Sequence, residues 1–102
     1  MAKPTKIILR WNILPGSESE YFEFMVSEFI PGIRRLGVVD PGVWYTAYGS
    51  TEQILVTGIT ETEEQMRYLL NSRDWSRLKK RLNELVDDFA QKVIPASGGF
   101  QL

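Results

Sequence analysis

Cysteine and histidine are both absent from this 102-residue chain. Without cysteine there can be no disulfide, no thiolate metal site and no cysteine nucleophile. Without histidine the chain loses the usual general base near neutral pH and the usual ligand of haem and catalytic zinc. Serine–histidine triads are excluded for the same reason. Any acid–base chemistry must come from a tuned carboxylate, a lysine, a tyrosine or the substrate itself. Charge of one sign is also lacking: 12 basic residues stand against 13 acidic ones, a net charge of −1. The balance gives no general pull toward nucleic acid or anionic lipid, so neither is expected as a partner. The apolar run Ile7–Leu9 near the start is too short for a signal peptide or a membrane span, and a cytoplasmic location is the default expectation. There is no P-loop, no dinucleotide-binding glycine fingerprint and no metal-ligand cluster, so no cofactor is expected.

What is present suits one α+β domain over residues 1–102, a length that can bury a core without staples. Lys6–Leu14 alternates as a strand, with Ile7, Leu9, Trp11 and Ile13 on one face and Ile8, Arg10, Asn12 and Leu14 on the other. Pro15-Gly16 ends it, and Ser17 or Ser19 can cap the helix that follows. Phe22, Met25, Val26, Phe29, Ile30 and Ile33 recur at helical spacing, with a kink or break expected at Pro31 and a stop at Gly37. Asp40-Pro41-Gly42 reads as a turn. Val43–Tyr48 then reads as a strand, with Trp44, Thr46 and Tyr48 on one face and Val43, Tyr45 and Ala47 on the other. Gly49–Glu52 connects it to a strand over Gln53–Ile59, forming a hairpin.

Thr60 and Glu63 have capping-box spacing, and Met66, Leu69 and Leu70 follow as a helical face. Asn71–Asp74 predicts a break that re-caps a longer helix. Its stripe would be Trp75, Leu78, Leu82, Leu85, Val86, Phe89 and Val93, ended by Pro95 and Gly98-Gly99. Phe100–Leu102 could then add a short last strand. The element order is β-α-β-β-α-β, a ferredoxin-like antiparallel sheet with its helices on one face. The other face, with Ile8, Leu14 and an aromatic row, is a large apolar surface to leave wet. Two copies packed sheet against sheet would cover it, so the expected partner is a second copy of the chain.

The same residues resemble a known group, the dimeric α/β-barrel superfamily that includes the antibiotic-biosynthesis monooxygenases. The resemblance lies in Pro15-Gly16 before an acidic helix, Phe29-Ile30-Pro31-Gly32 within it, Pro41-Gly42 before the second strand, and Asn71-Ser72-Arg73-Asp74-Trp75 at the last helix. It implies a homodimer whose sheets form a barrel, with a ligand cavity in each protomer between sheet and helices. Some members oxidise polycyclic phenols with molecular oxygen and no cofactor, using Asn, Trp, Tyr and Arg side chains to bind the phenol and favour its anion. Haem-binding members commonly use histidine, which this chain lacks. Many members have no known activity.

Two groups of residues are candidates for a site. Arg10 and Asn12 could act catalytically, Arg10 holding a phenolate or carboxylate and Asn12 orienting an oxygen; alternatively both sit at a solvated or dimer-contacting rim. Trp44, Tyr45 and Tyr48 could bind a flat aromatic substrate by stacking, or serve only core and dimer packing. Trp11 and Trp75 read as core. Asp40, Glu18 and Glu61 read as turn and cap carboxylates, and Lys79-Lys80-Arg81 as a solvated helix face. An RNA-recognition reading of the same element order is rejected, because Gln53–Ile59 lacks the basic–glycine–aromatic signature. Three readings stay open: a cofactor-independent monooxygenase acting on an aromatic or polyketide-type molecule, a non-catalytic ligand-binding module, and a purely structural dimer domain.

Overall fold

A computed structural model of the chain describes residues 3–48 and 51–96, without the side chains of residues 47, 48, 51 and 52. Nine elements follow one another: β1 (Thr5–Ile13), α1 (Glu18–Phe24), a π turn (Met25–Phe29), α2 (Ile30–Arg35), β2 (Val39–Tyr48), β3 (Thr51–Thr60), α3 (Glu63–Leu70), α4 (Arg73–Asn83) and β4 (Val86–Pro95). The four strands form one sheet in the order β2-β3-β1-β4, with every adjacent pair antiparallel. The helices lie on one face of it, the ferredoxin-like α+β arrangement that the sequence predicts.

The alternation along β1 decides which face is which. Ile7, Leu9, Trp11 and Ile13 are all buried beneath the helices. They join Ile54 and Val56 of β3, and Phe29, Ile33, Leu69, Trp75 and Leu82 of the helical layer, in one core. Trp11 is its centre. Its ring meets Tyr21 and Phe29 edge-on and stacks on Phe89 at 5°. Its indole N–H donates to the Tyr21 hydroxyl at 2.9 Å, which satisfies a donor that burial would otherwise strand.

Burial pushes the Tyr21 hydroxyl up to about 12 from its ordinary value near 10, while the Trp11 hydrogen bond pulls slightly the other way. The folded state therefore favours the neutral phenol. That contribution is complete below pH 10 and is lost as pH rises toward about 12. Denaturant unfolding followed across this window should show wild type losing up to roughly 3 kcal/mol more than Tyr21→Phe. Parallel losses in the two proteins would remove Tyr21 as the source.

Pro31 does interrupt its helix, through a π turn. Proline lacks an N–H, and its ring presses on the carbonyl four residues back. Here the preceding turn widens, and the Ile30 N–H donates to the Met25 carbonyl five residues back. The extra residue shifts the apolar face by one position on the N-terminal side. Tyr21 and Phe24 are buried where Phe22 and Val26 were expected, and Phe22 and Val26 are exposed. Gly37 ends the helix at φ +109. Its N–H donates to the Arg34 carbonyl and that of Val38 to the Ile33 carbonyl, a Schellman pair.

Three further expectations are corrected. Asp40-Pro41-Gly42 is part of β2 and forms a bulge there, with the β2–β3 register slipping between Val39 and Gly42 and Asp40 at φ +50. The α3 cap is Thr62, whose hydroxyl accepts from the Gln65 N–H at 3.0 Å; Gln65 in turn reaches back to the Glu61 N–H. The pair Thr60/Glu63 is thus displaced by two residues. The long final helix is two elements: α4 stops at Asn83, and Val86–Pro95 is the fourth strand, paired with β1. Leu85, Val86, Phe89 and Val93 fit either period. Strand is selected because β1, with β3 on one side, would otherwise leave its other backbone edge unpaired. The re-capping at Ser72 is as expected, its hydroxyl accepting from the Trp75 N–H at 3.1 Å. Phe100–Leu102, Gly98-Gly99 and part of the Gly49–Glu52 connection lie outside the described residues.

Candidate functional site

Residues opposite one another in an antiparallel pair point to the same sheet face. The register therefore lays out the face away from the helices in rows. One row runs Trp44, Leu55, Arg10, Ala90; the next runs Thr46, Gln53, Asn12; a third runs Gly42, Thr57, Ile8, Lys92. The described residues leave this face uncovered. Trp44 is 53% exposed, and Ile8, Leu55, Thr57 and Ile59 are half-buried.

Arg10 and Asn12 come together here. They line one shallow depression of about 340 Å³ with Gln53, Asp88, Phe89 and Ala90. A bulge builds it. Between Arg10 and Asn12 the β1–β4 register slips, so that Ala90 faces Arg10 and Asp87 faces Asn12. Two residues of β4, Asp88 and Phe89, thus oppose the single residue Trp11. Asp88 takes φ +56, a backbone region that Asp tolerates better than most residues. The slip sends the two neighbours to opposite sides: Phe89 stacks on Trp11 under the helices, while Asp88 accepts from Asn12 Nδ2 at 3.2 Å on the open face. The other end of the Asn12 amide, Oδ1, is shielded from solvent and has no hydrogen-bond partner among the described residues. Arg10 is exposed and forms no ion pair among the described residues. The depression thus holds one cation, Arg10, and one carboxylate, Asp88, beside an Asn12 amide whose acceptor is unsatisfied.

The aromatic candidates divide. Trp44 shares the open face but lies two strands from Arg10, about 10 Å away at the usual strand spacing. Its ring leans over Gly42, where a Cβ would stand 2.6 Å from the indole edge, so glycine makes room for it. Tyr45 pairs with the buried Ile54 and so faces the helix side, away from Arg10 and Asn12. The side chain of Tyr48 lies outside the described residues. Sequence reasoning missed Asp88 because it placed that residue on a helix. The adjacent acids Asp87-Asp88 and the β-branched Val86, Val93 and Ile94 are signals that disfavour helix there.

The space between sheet and helices, where the resemblance implies a ligand cavity, is filled around β1 by Trp11, Tyr21 and Phe29, each at most 1% exposed. Among the described residues no cluster of three or more carboxylates is arranged to hold a metal ion. No helix of the described residues is long and apolar enough to cross a membrane.

No family model matches the chain, and no curated protein matches it. Solved structures do resemble it. SnoaB, a cofactor-independent oxygenase from Streptomyces nogalater, superposes with a TM-score of 0.71 at 10% identity, covering 90% of this chain and 91% of that one. A conserved protein from Methanosarcina mazei Go1 has the same TM-score at 14% identity, over 90% and 91% of the two chains. A candidate antibiotic biosynthesis monooxygenase from Chloroflexus aurantiacus reaches 0.67 at 14% identity, over 96% and 97%. At such identities the likeness shows the fold alone.

Proposed function

We propose, from a chain whose fold is that of the antibiotic-biosynthesis-monooxygenase-like dimeric α/β barrels, a small-molecule-binding homodimer that oxidises an aromatic substrate without a cofactor. The observation that carries the binding is the unpartnered Asn12 Oδ1 beside Arg10 on an uncovered sheet face. A buried acceptor left unmade is costly, and a ligand hydroxyl removes the cost. A second copy packed on this face would roof the depression and exclude water from it. A ligand reaching from Arg10 to Trp44 must span about 10 Å, which suits a fused polycyclic phenol better than a single ring.

In this reading Arg10 stabilises the anion of the substrate, Asn12 orients one of its oxygens and Trp44 stacks on its far ring. The phenolate is the electron donor. With molecular oxygen, a ring CH₂ becomes C=O and the second oxygen atom leaves as water, so the substrate supplies both hydrogens. SnoaB, of the same fold, is a cofactor-independent oxygenase, which supports oxygen chemistry on this scaffold. The expected result is oxygen consumption with an anthrone-type phenol in metal-free, flavin-free buffer. Asn12→Ala should slow it on the order of a hundredfold, as loss of a positioned hydrogen-bond group does elsewhere. Turnover unchanged by Asn12→Ala would rule out this assignment.

A second reading is favoured by one observation. The interior beside Trp11 is filled by the chain's own side chains, and the depression at Arg10 and Asn12 is shallow and open. A non-catalytic ligand-binding module would show ligand-dependent thermal stabilisation with no oxygen uptake.

A further inference from the structure

The β1–β4 bulge gives Asn12 a polarity. A carboxylate only accepts hydrogen bonds, so the amide end facing Asp88 must be the NH₂. The carbonyl end is thereby turned away from Asp88, and it is the atom left without a partner. Asp88 can reach Asn12 only because the extra residue in β4 puts it on the open face at φ +56. Gln53, opposite Asn12 on β3, makes no hydrogen bond to it, so the amide is held from the β4 side.

We infer that Asp88 is a positioning residue that locks Asn12 as a hydrogen-bond acceptor, and that the depression selects ligands carrying a hydroxyl together with a second, anionic oxygen. The hydroxyl donates to Asn12 Oδ1, and the anionic oxygen meets Arg10. Alternate residues on one strand face stand about 6–7 Å apart, so the two oxygens belong on different positions of one ring or of two fused rings. A hydroxylated aromatic acid or a polyphenol monoanion fits this description. Its O-methylated counterpart does not, because an ether oxygen would meet the Asn12 oxygen acceptor to acceptor. This deepens the ligand-binding reading above and rests on it, but it requires no turnover.

The test is an NMR titration of the full chain with 3-hydroxybenzoate and 3-methoxybenzoate. Wild type should prefer the hydroxyl probe about tenfold, the worth of one hydrogen bond to an otherwise unpaired buried acceptor. Asp88→Asn tolerates the same backbone conformation. Its amide can donate or accept, so Asn12 is no longer locked and the preference should fall to near one. Asp87→Asn, which keeps an oxygen to accept the Asp88 N–H, should retain it. A merely structural Asp88 would lower the melting temperature and leave the preference intact, which would overturn the assignment. Equal binding of both probes by wild type would overturn the inference while the aromatic-binding reading stands. If neither probe binds at all, both the inference and the binding reading are overturned.

Discussion

Trp11→Ala is expected to lower the unfolding free energy by about 3–5 kcal/mol, the usual cost of deleting a buried tryptophan side chain. Trp11 is fully buried, and three aromatic rings pack on it, from α1, the π turn and β4. No single neighbour can collapse into the space without leaving the others. The substitution also takes the donor away from the buried Tyr21 hydroxyl, which adds an unsatisfied group to the void. Against a total of about 5–15 kcal/mol for a domain, the loss removes a large share of the stability. Denaturant unfolding measures it. Trp44→Ala provides the contrast, since Trp44 is half-exposed on an edge strand and its loss should leave the protomer within about 0.5 kcal/mol of wild type. A Trp11→Ala protein as stable as wild type would mean that the aromatic cluster is not the centre of the core.

Leu55→Asp should convert the proposed dimer to a monomer. Leu55 is half-buried on β3 between Trp44 and Arg10, in the middle of the open face. A second sheet packed there would desolvate the new carboxylate together with Arg10 opposite it, and a buried ion pair in place of a packed leucine costs about 1–4 kcal/mol, incurred once in each protomer. That weakens association by about a thousandfold, enough to shift the sedimentation coefficient at micromolar concentration. The far-ultraviolet circular dichroism should not change, because the side chain is outside the helix-face core. Phe22→Asp, on the exposed side of α1, should leave the association state alone. If Leu55→Asp sediments like wild type, the two sheets do not pair through this face.

The helical layer shows where local patterning is sufficient and where it is not. Ser72 is recognisable as a cap because its hydroxyl acts on groups three residues away, and such short-range contacts are written in adjacent letters. Phe22 and Val26 were misplaced because a single π turn before Pro31 moves the apolar face by one residue. Proline announces a disturbance but not which geometry absorbs it.

What the sequence determined by itself is the alternation of β1, the hairpin of β2 and β3, the cap at Ser72, the helix stop at Gly37, and the absence of any thiol or imidazole chemistry. All of these depend on residue type or on spacing within one element. Arg10 and Asn12 were legible as a pair because every second residue of a strand shares a face. Only the tertiary structure decided that Val86–Pro95 is a strand, since those residues fit a helix equally well until β1 supplies a backbone edge to pair with. That one choice created the bulge, brought Asp88 to Asn12 across 76 residues of sequence, and left Asn12 Oδ1 unpaired. A site assembled from a register slip between distant strands has no local signature, because its geometry is set by where two hydrogen-bond ladders meet.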